Sequence, residues 1–198
     1  MKFTELAKSL KEGIASVYLI EGEEAYFRDH AVEAIRAACD ITQPVFNDVR
    51  FDGETVKADF ARFVNDLSTF PFFDAKRLVR VYGLHPTERE WERFLGPYAE
   101  NPCPTTVLVI VNSAKKSGSA ELKRKKGITF VDCGRESEET LARWLFGVMR
   151  KSGLNVDADA ASLMVRYCAR DAARMKKETE KLSALLGGGE RVTRAVVE

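Results

Sequence analysis

The first place where residue types suggest chemistry is the loop that follows the apolar run at residues 16–20. This run predicts a buried strand and residues 25–38 predict a helix, so the loop lies where a nucleotide-binding α/β domain holds its phosphate-binding loop. Such a loop needs several glycines, whose backbone N–H groups surround the phosphates, and then a Lys followed by Ser or Thr. Here Gly22 is the one glycine, no Lys-Ser or Lys-Thr pair follows, and no Lys is present to offset the local negative charge. The three carboxylates of the loop are Glu21, Glu23 and Glu24. Because they would repel a triphosphate, we expect neither ATP binding nor ATP hydrolysis.

Other nucleophiles and metal ligands are scattered along the chain. The four cysteines, at positions 39, 103, 133 and 168, form no CxxC pair and match no zinc-binding spacing. The two histidines, His30 and His85, lie within motif distance of neither a cysteine nor an activated serine. The sequence therefore predicts no metal site, no catalytic triad and no cofactor.

Three phenylalanines around a proline precede the predicted strand at residues 77–82. Pro71 has no N–H and disfavours helix at Phe70, so the preceding helix should end here and Phe72 and Phe73 should lie on a short turn. Two neighbouring aromatic residues on a turn cannot easily both face one core, so one interpretation is an exposed apolar pair that docks on another protein. The alternative is that all three phenylalanines are buried under the sheet. Taken without further information, the general tendency of aromatic residues to be buried favours this alternative.

A basic cluster follows in the second half of the sequence. Its members are Lys115, Lys116, Lys123, Arg124, Lys125 and Lys126. Three interpretations are open, in decreasing order of preference: a solvated face, a surface for an acidic protein partner, and a phosphate-binding patch for nucleic acid. The absence of interleaved aromatic residues argues against the third.

Composition is that of an ordinary globular protein. The 198 residues include 31 Lys and Arg against 30 Asp and Glu, a formal charge of +1. A net charge this small does not attract the chain to nucleic acid or anionic lipid. No apolar run is long enough to span a bilayer, and residues 1–6 lack the apolar core of a signal peptide. We therefore expect a cytoplasmic location.

The elements that must position these residues alternate between strand and helix in the first two thirds of the chain. Five strands are predicted near residues 16–20, 47–53, 77–82, 106–111 and 127–132. Alternation of this kind predicts an α/β domain with a parallel sheet and right-handed crossovers. The continuous β-branched run at residues 106–111 favours a central strand that is buried on both faces.

The pattern changes near residue 135. Three amphipathic helices follow, with Ser137, Asp157 and Asp171 at the positions of their N-caps, and no strand is predicted among them. This arrangement predicts an α/β domain at residues 1–135 and a small helical domain at residues 136–198.

The order of these elements resembles one family, the delta subunit of bacterial DNA polymerase III, which is the clamp-opening member of the clamp loader. The matching segments are residues 18–24 (YLIEGEE), 51–53 (FDG), 72–79 (FFDAKRLV), 106–109 (TVLV), 153–154 (GL), 171–174 (DAAR) and 180–182 (EKL). No single motif is diagnostic, and the resemblance rests on their order and spacing along the whole chain.

The resemblance implies an AAA+-like first domain with a five-stranded parallel sheet and no working phosphate loop, followed by a three-helix lid. It also implies that two large apolar residues at a helix–strand turn enter a hydrophobic pocket on the sliding clamp, and these positions fall on Phe72 and Phe73. A common family pattern there is Leu-Phe, from which Phe72 departs. With the family in view, docking becomes the favoured interpretation of this pair.

The partners implied by the resemblance are the DNA sliding clamp (the beta subunit) and the other loader subunits, delta prime and gamma/tau. DNA would be contacted weakly or indirectly, and no membrane is involved. The family is part of a DNA-directed DNA polymerase (nucleotidyltransferase) holoenzyme, but no catalysis is expected of this chain alone. Family members usually continue into a helical collar domain, which residues 1–198 do not include. The alternatives are an ATP-using AAA+ NTPase, disfavoured by the missing Gly-Lys-Ser/Thr, and a nucleic-acid-binding module that uses residues 115–126.

Overall fold

A computed structural model describes residues 1–113, 123, 125–186 and 191–198. These residues divide into two compact units, Met1–Gly134 and Arg135–Glu198, each with its own secondary structure.

The first unit is built on a five-stranded sheet in which every neighbouring pair is parallel. The strands are β1 (Val17–Glu21), β2 (Asp48–Asp52), β3 (Arg77–Tyr82), β4 (Thr106–Asn112) and β5 (Thr129–Asp132). Their spatial order is β2-β3-β4-β1-β5. Every residue of β1 and β4 is buried, as expected for inner strands of a sheet covered on both faces. The predicted α/β class with a five-stranded parallel sheet is thus confirmed, and so is the inner position of β4.

Helices surround these strands. Among the described residues of this unit they are α1 (Phe3–Glu12), α2 (Ala25–Ala38), α3 (Pro44–Asn47), α4 (Gly53–Ala58), α5 (Phe60–Asp66), α6 (Glu88–Glu90), a π-helical turn (Trp91–Leu95) and α7 (Gly96–Glu100). One hydrophobic core joins Val56, Phe60, Phe63 and Leu67 to the apolar side chains of β1, β3 and β4. The helical residues just before the aromatic segment therefore fill this face of the sheet.

Val56, Phe63 and Leu67 recur at helical spacing, but they lie on two helices or at their ends, α4 and α5. The break lies at Asp59, whose carboxylate accepts a hydrogen bond from the backbone N–H of Arg62 at 3.0 Å. An aspartate in this position satisfies an unpaired donor of the new helix and so favours a helix start over continuation.

The second unit is mainly helical. Its elements are α8 (Glu138–Lys151), β6 (Asn155–Val156), α9 (Ala158–Tyr167), α10 (Ala172–Leu186), β7 (Arg191–Val192) and α11 (Arg194–Val197). Ser137 and Asp171 cap α8 and α10 as predicted, since each accepts a hydrogen bond from a backbone N–H of the first turn, at 3.1 and 2.9 Å.

The expectation that no strand follows residue 135 is wrong. β6 and β7 form a parallel pair of their own, with Val156 opposite Val192. Two-residue strands have no periodicity that a sequence could display, which is why this pair was missed. Within the described ranges, no helix has both the length and the apolar character needed to cross a bilayer.

Candidate functional site

The three phenylalanines of the segment between α5 and β3 are all exposed to solvent. The exposed fraction is 77% for Phe70, 50% for Phe72 and 86% for Phe73. The interpretation that buried them under the sheet is wrong. The reason is that Phe60, Phe63 and Leu67, which come just before them, already fill that part of the core.

Phe73 adopts an unusual backbone conformation. Its φ angle is 57°, in the left-handed region that non-glycine residues seldom occupy. The rings of Phe72 and Phe73 meet edge to face, with their centroids 4.3 Å apart. A backbone in this region persists only where the surroundings determine it, so the contacts of the turn must hold it in place.

Asn47, the last residue of α3, supplies the central contacts of this turn. Its side-chain amide nitrogen donates to the carbonyl of Phe72 at 2.8 Å, and its side-chain oxygen accepts from the N–H of Phe72, also at 2.8 Å. The same nitrogen donates to the carboxylate of Asp74 at 2.6 Å. Asn47 is 1% exposed, so its hydrogen bonds are shielded from competition with water.

Asp74 connects the turn to the chain before α3. Its carboxylate accepts hydrogen bonds from the Thr42 hydroxyl at 2.6 Å, the Thr42 N–H at 3.0 Å and the Gln43 N–H at 3.0 Å. These donors, led by the Thr42 hydroxyl and joined by Asn47, lower the pKa of Asp74 to about 2. The carboxylate is therefore ionised at neutral pH, the form that best accepts these hydrogen bonds.

α3 contributes two further exposed apolar side chains, Val45 and Phe46. The ring of Phe46 lies against that of Phe72, with centroids 4.9 Å apart. We call Val45, Phe46, Phe70, Phe72 and Phe73 the apolar edge. They are five of the nine large apolar side chains that are exposed among the described residues. Clustering on this scale is typical of an interaction surface.

The α3 part of the apolar edge was not predicted, although the sequence contains a signal for it. Pro44-Val45-Phe46 precedes β2 much as Pro71-Phe72-Phe73 precedes β3. β2 and β3 are neighbouring parallel strands, paired from Asp48 opposite Leu78, so the segments that precede them lie side by side. The proximity could have been inferred only with the strand order in hand.

The loop of residues 21–24, called the Gly22 loop, lies at the opposite, carboxyl end of the strands, and its backbone is bonded to the end of β4 and to the residue that follows β5. The N–H of Gly22 donates to the carbonyl of Asn112 at 3.4 Å, and the N–H of Glu24 donates to the carbonyl of Cys133 at 3.0 Å. The Arg28 guanidinium donates to the carbonyl of Gly22. A phosphate loop needs such N–H groups to point at the ligand, whereas two of them here are engaged by the protein itself.

The residues around the loop leave little room for a ligand. A Cβ atom at Gly22 would overlap the backbone of Cys133 and Gly134. Glu21 belongs to β1, is buried, and pairs with the Lys123 ammonium at 2.7 Å. The expectation that no lysine offsets the charge of this region is therefore wrong for Glu21. The pairing joins residues far apart in the sequence, which spacing alone cannot show.

The predicted basic cluster is only partly within the described residues. Lys123 pairs with Glu21 as above, Lys125 pairs with Glu88, and Lys126 is exposed. The remaining members, Lys115, Lys116 and Arg124, lie outside the described residues. Lys123 and Lys125 thus have carboxylate partners in the protein, which reduces the positive charge that they offer to a phosphate.

Burial limits the chemistry that the cysteines can do. Cys39, Cys133 and Cys168 are buried, Cys103 is half-buried, and all four are free thiols. Burial raises the pKa of Cys39 to about 11, so its thiol is protonated and unreactive at neutral pH. Across the part of the chain that the structure describes, no three His, Cys, Asp or Glu side chains are grouped so as to hold a metal ion.

One comparison with known proteins shows the family of this chain. The family model for the DNA polymerase III delta subunit matches residues 18–128, more than half of the chain. A search of the curated proteins found no match. Among solved structures, the chain is similar to a Bacillus subtilis DNA clamp loader delta protein, YqeN, with a TM-score of 0.74 and 23% identity. The match covers 98% of this chain and 61% of that one, so the chain spans less than two thirds of that relative's length.

More distant structures share the fold alone. The Thermotoga maritima RuvB Holliday junction branch migration motor matches with a TM-score of 0.52 and 12% identity, over 98% of this chain and 66% of that one. The five-stranded parallel sheet with its helices is therefore an AAA+-like, clamp-loader type of fold. The family match at residues 18–128 includes the Gly22 loop and the whole apolar edge, and on this basis the chain belongs to the DNA polymerase III delta subunit family.

Proposed function

We propose that this chain acts as a clamp-loader delta subunit in DNA replication, and that it binds and opens the DNA sliding clamp by inserting Phe72 and Phe73 into an apolar pocket. The observation that carries the proposal is the exposure of both rings on a turn whose backbone is held by Asn47. Family membership is the reason for proposing the sliding clamp as the partner.

The energetics of the turn support this role. An exposed pair of aromatic rings loses contact with water when a pocket covers it, which is favourable at about 25 cal/mol per Å² of apolar surface. A turn that is already fixed by hydrogen bonds to Asn47 and Asp74 pays little additional ordering cost on binding. Phe72 and Phe73 therefore suit the role of interface anchors.

The Gly22 loop supports a role without nucleotide. With its Gly22 and Glu24 N–H groups bound to backbone carbonyls, the loop cannot surround a phosphate without rearrangement. In the proposal, residues 1–135 are an AAA+-like domain that does not use ATP and residues 136–198 are its lid. The partners are the sliding clamp, delta prime and gamma/tau, DNA is reached mainly through the clamp, and the chain works in the cytoplasm.

Surface plasmon resonance on an immobilised sliding clamp tests the proposal. We expect the wild-type chain to bind. Truncation of a buried aromatic anchor costs about 2–4 kcal/mol, so Phe73→Ala should weaken binding roughly 30- to 1000-fold, and Phe72→Ala should also weaken it. Leu185→Ala is a matched control, because Leu185 is a similarly exposed apolar side chain of the second unit.

Thermal melts of the same variants complete the experiment. The melting temperatures of Phe72→Ala and Phe73→Ala should change far less than that of Phe63→Ala, since loss of a core phenylalanine costs about 3–5 kcal/mol. The proposal is wrong if the wild-type chain does not bind the clamp. It is equally wrong if both variants bind as tightly as the wild type.

A further inference from the structure

The apolar edge extends beyond the two residues of the proposed function. Val45 and Phe46 on α3 are 87% and 55% exposed. Neither side chain fills the core, so a polar residue at either position would leave the core intact. Isolated exposed apolar residues are common on proteins, but Phe46 is not isolated. Its ring contacts Phe72, which in turn contacts Phe73, so three aromatic rings form one continuous surface.

α3 and the turn are also joined as one rigid piece. Asn47, at the end of α3, bonds to the backbone of Phe72 and to the carboxylate of Asp74. On the other side of α3, the N–H groups of Thr42 and Gln43 bond to the same carboxylate. The backbone of Phe46 therefore cannot move away from that of Phe72 unless these bonds break.

We infer that Phe46 and Val45 form a second contact with the same partner, the sliding clamp, so that its binding surface runs from the turn onto α3. This inference rests on the proposed function, because it takes the partner from there. A pocket wall that closes over Phe72 must approach the ring that lies 4.9 Å from it. Contact with Phe46 is then the arrangement that excludes water from the rim of the pocket, as anchor residues require.

The test measures clamp binding by Phe46→Ala and Val45→Glu beside Phe73→Ala and the control Leu185→Ala. We expect Phe46→Ala to weaken binding about 5- to 30-fold, the range for a contributing residue next to the main anchors. Val45→Glu should also weaken binding, because it places a charge against an apolar wall. Both positions are exposed, so the melting temperatures should stay close to that of the wild type.

A double-mutant cycle adds a readout of the contact itself. Since the two rings touch, Phe46→Ala and Phe72→Ala together should cost less than the product of the two separate losses. Phe46→Ala and Leu185→Ala should instead be multiplicative. Multiplicative losses for Phe46 and Phe72 would overturn the inference that the two rings bind as one surface.

The outcomes separate this inference from the proposed function. If Phe73→Ala weakens binding while Phe46→Ala and Val45→Glu do not, the proposed function stands and the inference falls. If neither Phe72→Ala nor Phe73→Ala weakens binding, both fall. A second copy of this chain is the competing occupant of α3, and sedimentation of the chain alone distinguishes it: a dimer that Phe46→Glu dissociates would overturn the assignment to the clamp.

Discussion

The side chain of Asn47 pairs with the backbone of Phe72 through two hydrogen bonds, each 2.8 Å long. An amide that both donates to a carbonyl and accepts from the N–H of one residue imitates the pairing between strands. The turn is thereby fixed by a residue that lies 25 positions earlier in the chain. Its shape depends on the packing of α3 as much as on Pro71.

Asn47→Ala should therefore weaken both the turn and clamp binding. It leaves polar backbone atoms of Phe72 without their partner, and loss of a buried hydrogen bond typically costs about 1–3 kcal/mol of the free energy of unfolding. Clamp affinity should fall as well, because the released turn must be ordered again on binding. Urea unfolding and clamp titration measure the two effects. Asn65→Ala, an exposed asparagine on α5, is the control, and an unchanged clamp affinity in Asn47→Ala would contradict the assigned role.

Phe73→Gly should separate stability from binding. Phe73 has a φ of 57°, a conformation that costs a non-glycine residue roughly 1–2 kcal/mol and costs glycine little. Phe73→Gly should thus unfold at a higher urea concentration than Phe73→Ala, while both lose clamp affinity to a similar extent. Equal midpoints for the two variants would show that the left-handed backbone is not retained.

Asp74→Asn should lower stability in a pH-dependent way. The pKa of Asp74 is lowered to about 2 in the folded protein, chiefly by the Thr42 hydroxyl, against about 3.9 in an unfolded chain. Its stabilising contribution is therefore complete above pH 4 and disappears as the pH falls from about 4 to about 2. Urea unfolding of wild type and Asp74→Asn should differ most at neutral pH, and the difference should narrow from pH 4 to pH 3. A difference that stays constant over this range would contradict the low pKa.

Gly22→Ala should strongly destabilise the first unit. The added Cβ would overlap the backbone of Cys133 and Gly134, and overpacking of this kind costs about 1–3 kcal/mol or more. Gly147→Ala is the matched control, because nothing lies within 4 Å of its Cβ position on α8 and alanine favours the helix by about 0.5–1 kcal/mol. The melting temperature should fall in the first variant and rise slightly in the second. A wild-type melting temperature for Gly22→Ala would show that the backbone of Cys133 and Gly134 does not obstruct a side chain at this position.

Titration with Mg-ATP should give no saturable heat at millimolar concentration. The reason is that the N–H groups of Gly22 and Glu24 already donate to Asn112 and Cys133. Isothermal titration calorimetry, with ATP injected into buffer as the blank, makes the measurement. Saturable heat that ADP abolishes by competition would contradict this expectation, and it needs no variant of Gly22, whose substitution would disturb the fold.

Local patterns in the sequence were enough to predict most of the first unit. β3 and α2 have the bounds that their apolar patterns indicated. Residues 87–90 (TERE) have the sequence pattern of a capping box, and this box is present at the start of α6. Such features depend on residues that are close in the sequence, so sequence patterns can reveal them. The two-residue strands β6 and β7 carry no comparable pattern.

Only part of the candidate site could be predicted from the sequence, for a related reason. Phe72 and Phe73 stand out beside Pro71, but their exposure depends on which earlier residues occupy the core. The roles of Asn47 and Phe46 follow from the pairing of β2 with β3, and the partner of Glu21 is Lys123. All of these are contacts between distant parts of the chain. They become visible only when the order of the strands is known.

The parallel sheet keeps the apolar edge and the Gly22 loop at opposite ends of its strands. All amino ends of the strands lie at one edge and all carboxyl ends at the other, roughly 17 Å away along a strand of ordinary length. Mutations that accumulate around Gly22 can therefore abolish a nucleotide site without altering α3 and the turn, which carry Phe46 and Phe72. In evolutionary terms, a fold of this kind can lose a nucleotide site at one end of its sheet and retain an exposed apolar surface at the other.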